Sequence, residues 1–181
     1  MIYIISDTHF NHKNILKYES RPFSSVEDMN ESIIKNWNSV VKPGDIVIHL
    51  GDVALGRMSE VPAIIARLNG NKIFVRGNHD DKSDTYYLNA GFSAVGRNFI
   101  FTHNGLTIFC SHHPYKPEGI EYDLHLFGHV HGVDSEEGKN YPTIASNGAC
   151  LCVERWNYKP VSIDEIIKLC MADGVQPCEG I

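Results

Sequence analysis

Along the first half of the chain, short apolar runs alternate with stretches whose apolar positions recur at helical spacing. Ile2–Ile5 is β-branched and aromatic and stops at Ser6-Asp7, as a strand buried in a parallel sheet does. Val26, Met29, Ile33, Trp37, Val40 and Val41 then share one helical face, opened by the capping box Ser25-Val-Glu-Asp28 and stopped by Pro43-Gly44. Residues 45–50 read as a second strand running directly into Gly51-Asp52. Val61, Ile64, Ile65 and Leu68 mark another helix, closed by Asn69-Gly70, and residues 72–76 form a third strand leading into Gly77. Successive strand–helix units imply a parallel sheet with right-handed crossovers, in which ligands collect beyond the carboxyl ends of the strands.

The second half changes texture. Six further strands are expected at 98–102, 106–111, 124–127, 144–146, 149–154 and 158–161, making a second, mixed sheet. Ser162-Ile-Asp-Glu165 is another capping box and opens a final helix with Ile163, Ile166, Ile167 and Cys170 on one face. Residues 1–171 are expected to form a single domain, and 172–181, punctuated by Gly and Pro, a loose tail.

Composition narrows the class. The chain has 181 residues, 43% of them hydrophobic, which is enough for one buried core and too few for two catalytic domains. Sixteen Lys plus Arg against 22 Asp plus Glu leave a net charge of −6. That balance argues against long nucleic acid as a partner but not against a small anion, because bound cations override the overall sign locally. The opening Met-Ile-Tyr-Ile-Ile-Ser-Asp lacks the basic start of a signal peptide, and no run approaches the roughly 18 apolar residues of a membrane span. A soluble, cytoplasmic protein with no membrane partner is expected. Five cysteines, an odd number without a small secreted framework, fit reduced thiols. Cys150 and Cys152 are expected to share one face of a strand and to pack in the core rather than bind metal. Nothing in the pattern sets an oligomeric state.

Ten histidines are the compositional oddity, and several follow strands. Five blocks stand out: Asp7-Thr-His9, Gly51-Asp52, Gly77-Asn78-His79-Asp80, Ser111-His112 and Gly128-His129-Val-His131. Any one would serve as ordinary turn chemistry. Together they offer carboxylate, amide and imidazole ligands without thiolate, a set suited to Mn, Fe, Zn, Co or Ni. Two ions need a shared ligand, and Asp52, at the end of the central strand, is placed to provide it, while the neutral amide of Asn78 limits the negative charge. Two divalent ions about 4 Å apart can hold a hydroxide between them and clamp the oxygens of an in-line displacement, which is the chemistry of a phosphoester hydrolase. His49, His103 and His125 lie in or beside strands and read as hydrogen-bonded core or boundary residues.

The five blocks, in this order from Asp7 to His131, resemble the calcineurin-like metallophosphoesterase superfamily. Trp156-Asn-Tyr-Lys-Pro-Val-Ser-Ile-Asp-Glu165 further resembles the C-terminal signature of its small, cap-less bacterial and phage members. The resemblance implies an α/β fold, a four-layer αββα sandwich of two mixed β-sheets flanked by helices. It implies that Asp7, His9 and His131 hold one divalent ion, that Asn78, His112 and His129 hold the other, and that Asp52 bridges them. His79 would then serve the leaving-group oxygen, with Asp80 fixing its orientation. The sequence departs from the pattern at two places. Many phosphoprotein phosphatases of the superfamily carry Arg four residues after the bridging Asp, whereas Arg57 stands five on and either clamps phosphate or is a loop arginine. Ser111-His112-His113-Pro114 offers two adjacent imidazoles; His112 fits the ligand position, leaving His113 near the opening. His12 either lines the pocket or faces solvent.

The function expected is a dinuclear metal-dependent phosphoesterase, Mn being the leading metal, acting on a small phosphorylated substrate such as a nucleotide or cyclic nucleotide. The alternatives are a nuclease, a protein phosphatase or a noncatalytic metal-binding scaffold. The acidic balance counts against the first and the Arg57 spacing against the second. The presence of His79 with every ligand position counts against the third.

Overall fold

The apolar runs become two five-stranded sheets in the computed structural model, which describes residues 1–115 and 117–172. The segment 173–181, with Cys178 and all but the first residue of the expected tail, lies outside the described residues. The elements, in order, are β1 (Ile2–Ile5), α1 (Ile15–Tyr18), α2 (Val26–Val40), β2 (Ile46–His49), α3 (Val61–Ala66), β3 (Asn71–Val75), α4 (Asp84–Ala90) and β4 (Phe92–Gly96). There follow β5 (Asn98–His103), β6 (Leu106–Ser111), β7 (Leu124–Phe127), β8 (Ile144–Ala145), β9 (Gly148–Cys150), β10 (Val161–Ser162) and α5 (Ile163–Ala172). The first sheet has the order β10-β1-β2-β3-β4, all parallel except β10; the second, β5-β6-β7-β9-β8, is parallel at its centre and antiparallel at both edges. Both are mixed, as expected.

Alternating side chains of the central strands go to opposite faces, and both faces are buried. Tyr3, Ile5, Val47 and Phe74 pack beneath Met29, Ile33 and Trp37 of α2, Ile65 of α3 and Tyr87 of α4. Ile4, Ile48 and Val75 face the second sheet and meet Leu106, Ile108, Leu124 and Leu126. The capping residues behave as the sequence implies: Ser25 accepts the Asp28 N–H at 3.1 Å and Ser162 accepts that of Glu165 at 3.2 Å. The helices are unequally shared. α2, α3 and α4 cover the first sheet, whereas α5 lies against β1, β10, β8 and β9, burying Ile163, Ile166, Ile167 and Cys170. Among the described residues no helix is long and apolar enough to cross a membrane.

Two strands differ from expectation. The strand expected at 149–154 ends at Cys150, because the chain there crosses to the first sheet. Ser6 N–H donates to Leu151 O and Val153 N–H to Ser6 O, and a 3-10 turn follows at Val153–Trp156. Cys152 therefore lies past β9, although its sulfur still meets that of Cys150 at 3.4 Å in the interior. The strand expected at 158–161 shifts to Val161–Ser162 and pairs with β1, in the first sheet rather than the second. Left-handed backbone at Asn157 and Tyr158 turns the chain before it, and Pro160 has no N–H for a ladder. Three elements, α1, α4 and β4, carry no expectation; α4 buries only Tyr87 and Ala90, too few positions to make a periodic stripe.

Candidate metal centre

The parallel strands of both sheets end at one edge of the sandwich, and the five blocks follow them: Asp7 after β1, Asp52 after β2, Asn78 after β3, His112 after β6, and His129 and His131 after β7. Main-chain bonds sew these ends together. Asp7 N–H donates to Gly51 O at 3.0 Å, His9 N–H to Asp52 O at 3.0 Å and Gly128 N–H to His112 O at 2.9 Å. Asp7, His9, Asp52, His129 and His131 all have left-handed backbone, with φ between 50° and 71°. This conformation is costly for residues with a Cβ and is tolerated where surrounding structure enforces it. Two glycines let the loops approach: a Cβ on Gly77 would strike the Asp52 carboxylate, and one on Gly128 would strike Ser6 and Asp7.

The side chains converge in two groups around Asp52. In the first, Asp7 Oδ1 lies 3.8 Å from both His9 Nε2 and His131 Nε2, and His9 Nε2 lies 3.6 Å from Asp52 Oδ2. In the second, Asn78 Oδ1 is 2.9 Å from both His112 Nε2 and His129 Nδ1, and His112 Nε2 is 3.5 Å from Asp52 Oδ2. Ligand atoms each about 2.1 Å from one ion stand about 3 to 3.5 Å apart, close to these spacings.

The donor set fits a cation on three counts. Asp7 Oδ1 and His9 Nε2 are buried with no hydrogen-bond partner, a costly state for polar atoms unless a ligand completes them. Leu50 O and Glu154 Oε1 are acceptors, so His112 Nδ1 at 2.8 Å and His131 Nδ1 at 3.1 Å are the donors. In the neutral His112 ring Nε2 then carries the lone pair, which faces another acceptor, Asn78 Oδ1, while His131 Nε2 is the nitrogen that faces Asp7 Oδ1. Finally, four buried carboxylates, Asp7, Asp52, Asp80 and Glu154, lie in and beside the ligand loops, and only Glu154 is paired with a guanidinium, that of Arg21.

The protonation equilibria follow from that crowding. Burial opposes ionisation of Asp7, yet the imidazoles of His112, His131 and His9 hold it well below the usual carboxylate range. Burial and the Asp7 charge push Asp52 up to about 6. Burial pulls His9 well down and lowers His129 to about 4, the latter helped by His113 and His112, so both rings are neutral and able to ligate. His131 is opposite: burial would lower it, but the hydrogen bond to Glu154 and the Asp7 charge raise it to about 9, so a metal would displace a proton there.

The remaining expected site residues divide. His79 stands at the surface with Nε2 3.9 Å from Asp52 Oδ2, its main-chain N–H donating to Asp52 Oδ1 at 2.9 Å. Asp80, expected to orient His79, makes its hydrogen bonds to main chain. Its Oδ2 accepts the N–H groups of Asp52 and Gly77, both at 2.7 Å, and its Oδ1 that of Val53 at 3.2 Å, so the carboxylate ties two ligand loops together. His113 is exposed, its ring 4.0 Å from that of His129. His12 is drawn in, with Nδ1 3.1 Å from His9 Nδ1 and its pKa lowered to about 4 by burial and then by His79. Arg57 is not: its exposed guanidinium pairs with Glu60 at 3.1 Å. His49 and His125 are buried and hydrogen-bonded to Thr8 and Ser111, and His103 pairs with Asp164 at the boundary. Sequence reasoning missed Arg21 and Glu154, 133 residues apart and joined at 2.6 Å beside His131. A buried Arg–Glu pair has no local signature in a sequence. Cys152 was also missed as a neighbour of the site; its sulfur lies 3.3 Å from Asp7 Oδ2.

Residues 1–154 match the calcineurin-like phosphoesterase superfamily domain. An uncharacterized protein of Methanocaldococcus jannaschii is 40% identical over 173 residues, 93% of this chain and 90% of that one. The crystal structure of a protein of unknown function from Aquifex aeolicus is 33% identical, with a TM-score of 0.72 over 93% of this chain and 98% of that one. A nuclease from Pseudomonas putida gives 19% identity and a TM-score of 0.48 over 72% of this chain and 61% of that one.

Proposed function

The chain belongs to the calcineurin-like phosphoesterase superfamily, and from that premise we propose that it is a metal-dependent phosphoesterase hydrolysing a small phosphomonoester or phosphodiester. The observation that carries the reading is the pair of buried, unpartnered ligand atoms, Asp7 Oδ1 and His9 Nε2, in a ring of imidazoles and carboxylates. Asp7, His9 and His131 would hold one divalent ion, Asn78, His112 and His129 a second, and Asp52 both. When bound, the ions supply Lewis acidity, polarising phosphoryl oxygens and making water a nucleophile at neutral pH. The protein's own contribution begins with position. Left-handed turns after β1, β2 and β7 direct the ligands back over the strand ends, and Asp80 locks the loops carrying Asp52 and Asn78. His79, half exposed at the mouth, donates a hydrogen bond or proton from its ring to the leaving-group oxygen. Exposed Asn78, His79 and His113 put the centre at the surface, within reach of a small ester in solution.

The test is hydrolysis of p-nitrophenyl phosphate and bis(p-nitrophenyl) phosphate with added Mn2+. Turnover that chelator abolishes and Mn2+ restores supports the proposal. No turnover of either ester with Mn2+, Fe2+, Zn2+, Co2+ or Ni2+ overturns it in favour of a scaffold.

A further inference from the structure

One guanidinium ties the turn that carries Asp7 and His9 to Glu154. Arg21 is buried, and its side chain donates to Asp7 O at 2.7 Å, to Thr8 O at 2.9 Å and to Glu154 Oε1 at 2.6 and 2.9 Å. The two carbonyls belong to the turn that presents Asp7 and His9, and both of those residues have left-handed backbone. Glu154 Oε1 also accepts from His131 Nδ1, so that oxygen takes three bonds, whereas Oε2, equally buried, takes none. The carboxylate is turned to place a single oxygen where Arg21 and His131 meet. Because a carboxylate only accepts, Nδ1 is the nitrogen that keeps its proton when a metal binds, and Nε2 is left to face Asp7 Oδ1.

We propose that Arg21 and Glu154 are positioning residues for one half of the metal centre: Arg21 fastens the turn carrying Asp7 and His9, and Glu154 fixes the tautomer and orientation of His131. This rests on the metal-centre reading above. In the other half the His112 imidazole is oriented without Glu154, its Nδ1–H donating to Leu50 O at 2.8 Å. Loss of Glu154 therefore weakens one ion and spares the other. Replacing a carboxylate that orients a ligating histidine ordinarily costs about 10- to 100-fold in metal affinity.

The experiment uses the full chain stripped with chelator and titrated with Co2+, followed by visible absorption and calorimetry, with thermal melting as a check on folding. Wild-type protein is expected to take up two equivalents. Folded Glu154→Gln is expected to keep one at wild-type affinity and to bind the other about 10- to 100-fold more weakly. Two equivalents bound by Glu154→Gln as tightly as by wild type would overturn the proposal. Equal weakening of both would overturn it too, since a merely structural role predicts that. A second measurement needs no variant: long-range 1H–15N spectra of the Zn2+-loaded wild-type protein should show the His131 proton on Nδ1, and a proton on Nε2 overturns the assignment. Wild-type protein that binds neither Co2+ nor Zn2+ overturns the metal-centre reading itself, an outcome distinct from the three that overturn the proposal.

Discussion

Asp80 offers the most direct test of how the centre is built, because its carboxylate contacts no proposed ligand side chain and works through the main chain. It is buried and accepts three N–H groups, those of Asp52 and Gly77 at 2.7 Å and of Val53 at 3.2 Å. Asp80→Ala leaves all three donors without a partner. Each buried unsatisfied donor costs about 1 to 3 kcal/mol, which brackets the sum between about 3 and 9 kcal/mol. Relaxation of the loops and entry of water favour the lower half, about 3 to 6 kcal/mol, out of a total domain stability of about 5 to 15 kcal/mol. Asp80→Asn keeps the shape and one acceptor oxygen. With that oxygen toward Asp52 and Gly77, the amide group faces the Val53 N–H, and the cost falls to about 1 to 3 kcal/mol. Urea denaturation of chelator-treated protein, followed by circular dichroism, should therefore rank wild type above Asn above Ala. A loss below about 1 kcal/mol for Asp80→Ala would refute the main-chain role. If Asp80 served His79 instead, Asp80→Asn would slow turnover while leaving stability intact.

Three further outcomes are expected. Asp52→Asn, which alters the carboxylate shared by both ligand groups, should weaken uptake of both metal equivalents and nearly abolish turnover; two full equivalents and a normal rate by metal analysis and kinetics would contradict the shared role. His79→Ala should spare metal uptake and slow hydrolysis by roughly 100-fold or more, with a smaller loss on p-nitrophenyl esters than on unactivated ones, and equal losses on both would count against its service to the leaving group. Burial lowers the pKa of His49 to about 3 and of His125 to about 4, from an ordinary 6.5. Both rings are neutral in the fold, so their contribution is complete above pH 6.5 and is lost as pH falls toward 4, where the unfolded chain binds more protons. Chelator-treated protein should lose stability across that window, and His125→Phe should flatten the loss; superimposable pH profiles for wild type and variant would dismiss the role of His125.

What the sequence revealed and what it concealed follow from how each feature is held. The ligand blocks were legible because they sit one to four residues after apolar strands, and strand ends are visible as the end of a run. The helix α2 was legible because Met29, Ile33 and Trp37 make a continuous stripe. Two strands of the first sheet were not: β4 buries one residue of five at a sheet margin, and β10 contributes two residues, so neither imposes a pattern. The shortening of the 149–154 strand depended on Ser6, a partner 145 residues away that captures Leu151 and Val153. Asp80 looked like a partner of its neighbour in sequence, His79, whereas its carboxylate accepts three buried main-chain N–H groups from loops that a sequence does not show to be adjacent. Arg21 and Glu154 were silent for the same reason: their meaning lies in what they touch.

The left-handed turns join these observations into one physical argument. A residue with a Cβ in that conformation gives up of order 1 kcal/mol or more, and five proposed ligands adopt it. Glycine would relieve the cost at each position but would carry no ligand atom. The turns are kept instead by bonds that close on one another: Asp7 to Gly51, His9 to Asp52, Gly128 to His112, and the His129 N–H to the Asp7 carboxylate at 2.9 Å. Asp7 thus holds the His129 turn with Oδ2 while Oδ1 faces the histidines, so the same carboxylate serves the backbone of one ligand group and the donor set of the other. A metal bound at Asp7 would be coupled through that oxygen pair to the geometry of His129. The two halves of the centre are therefore separable in the groups that orient His131 and His112, but joined mechanically at Asp7 and electrostatically at Asp52.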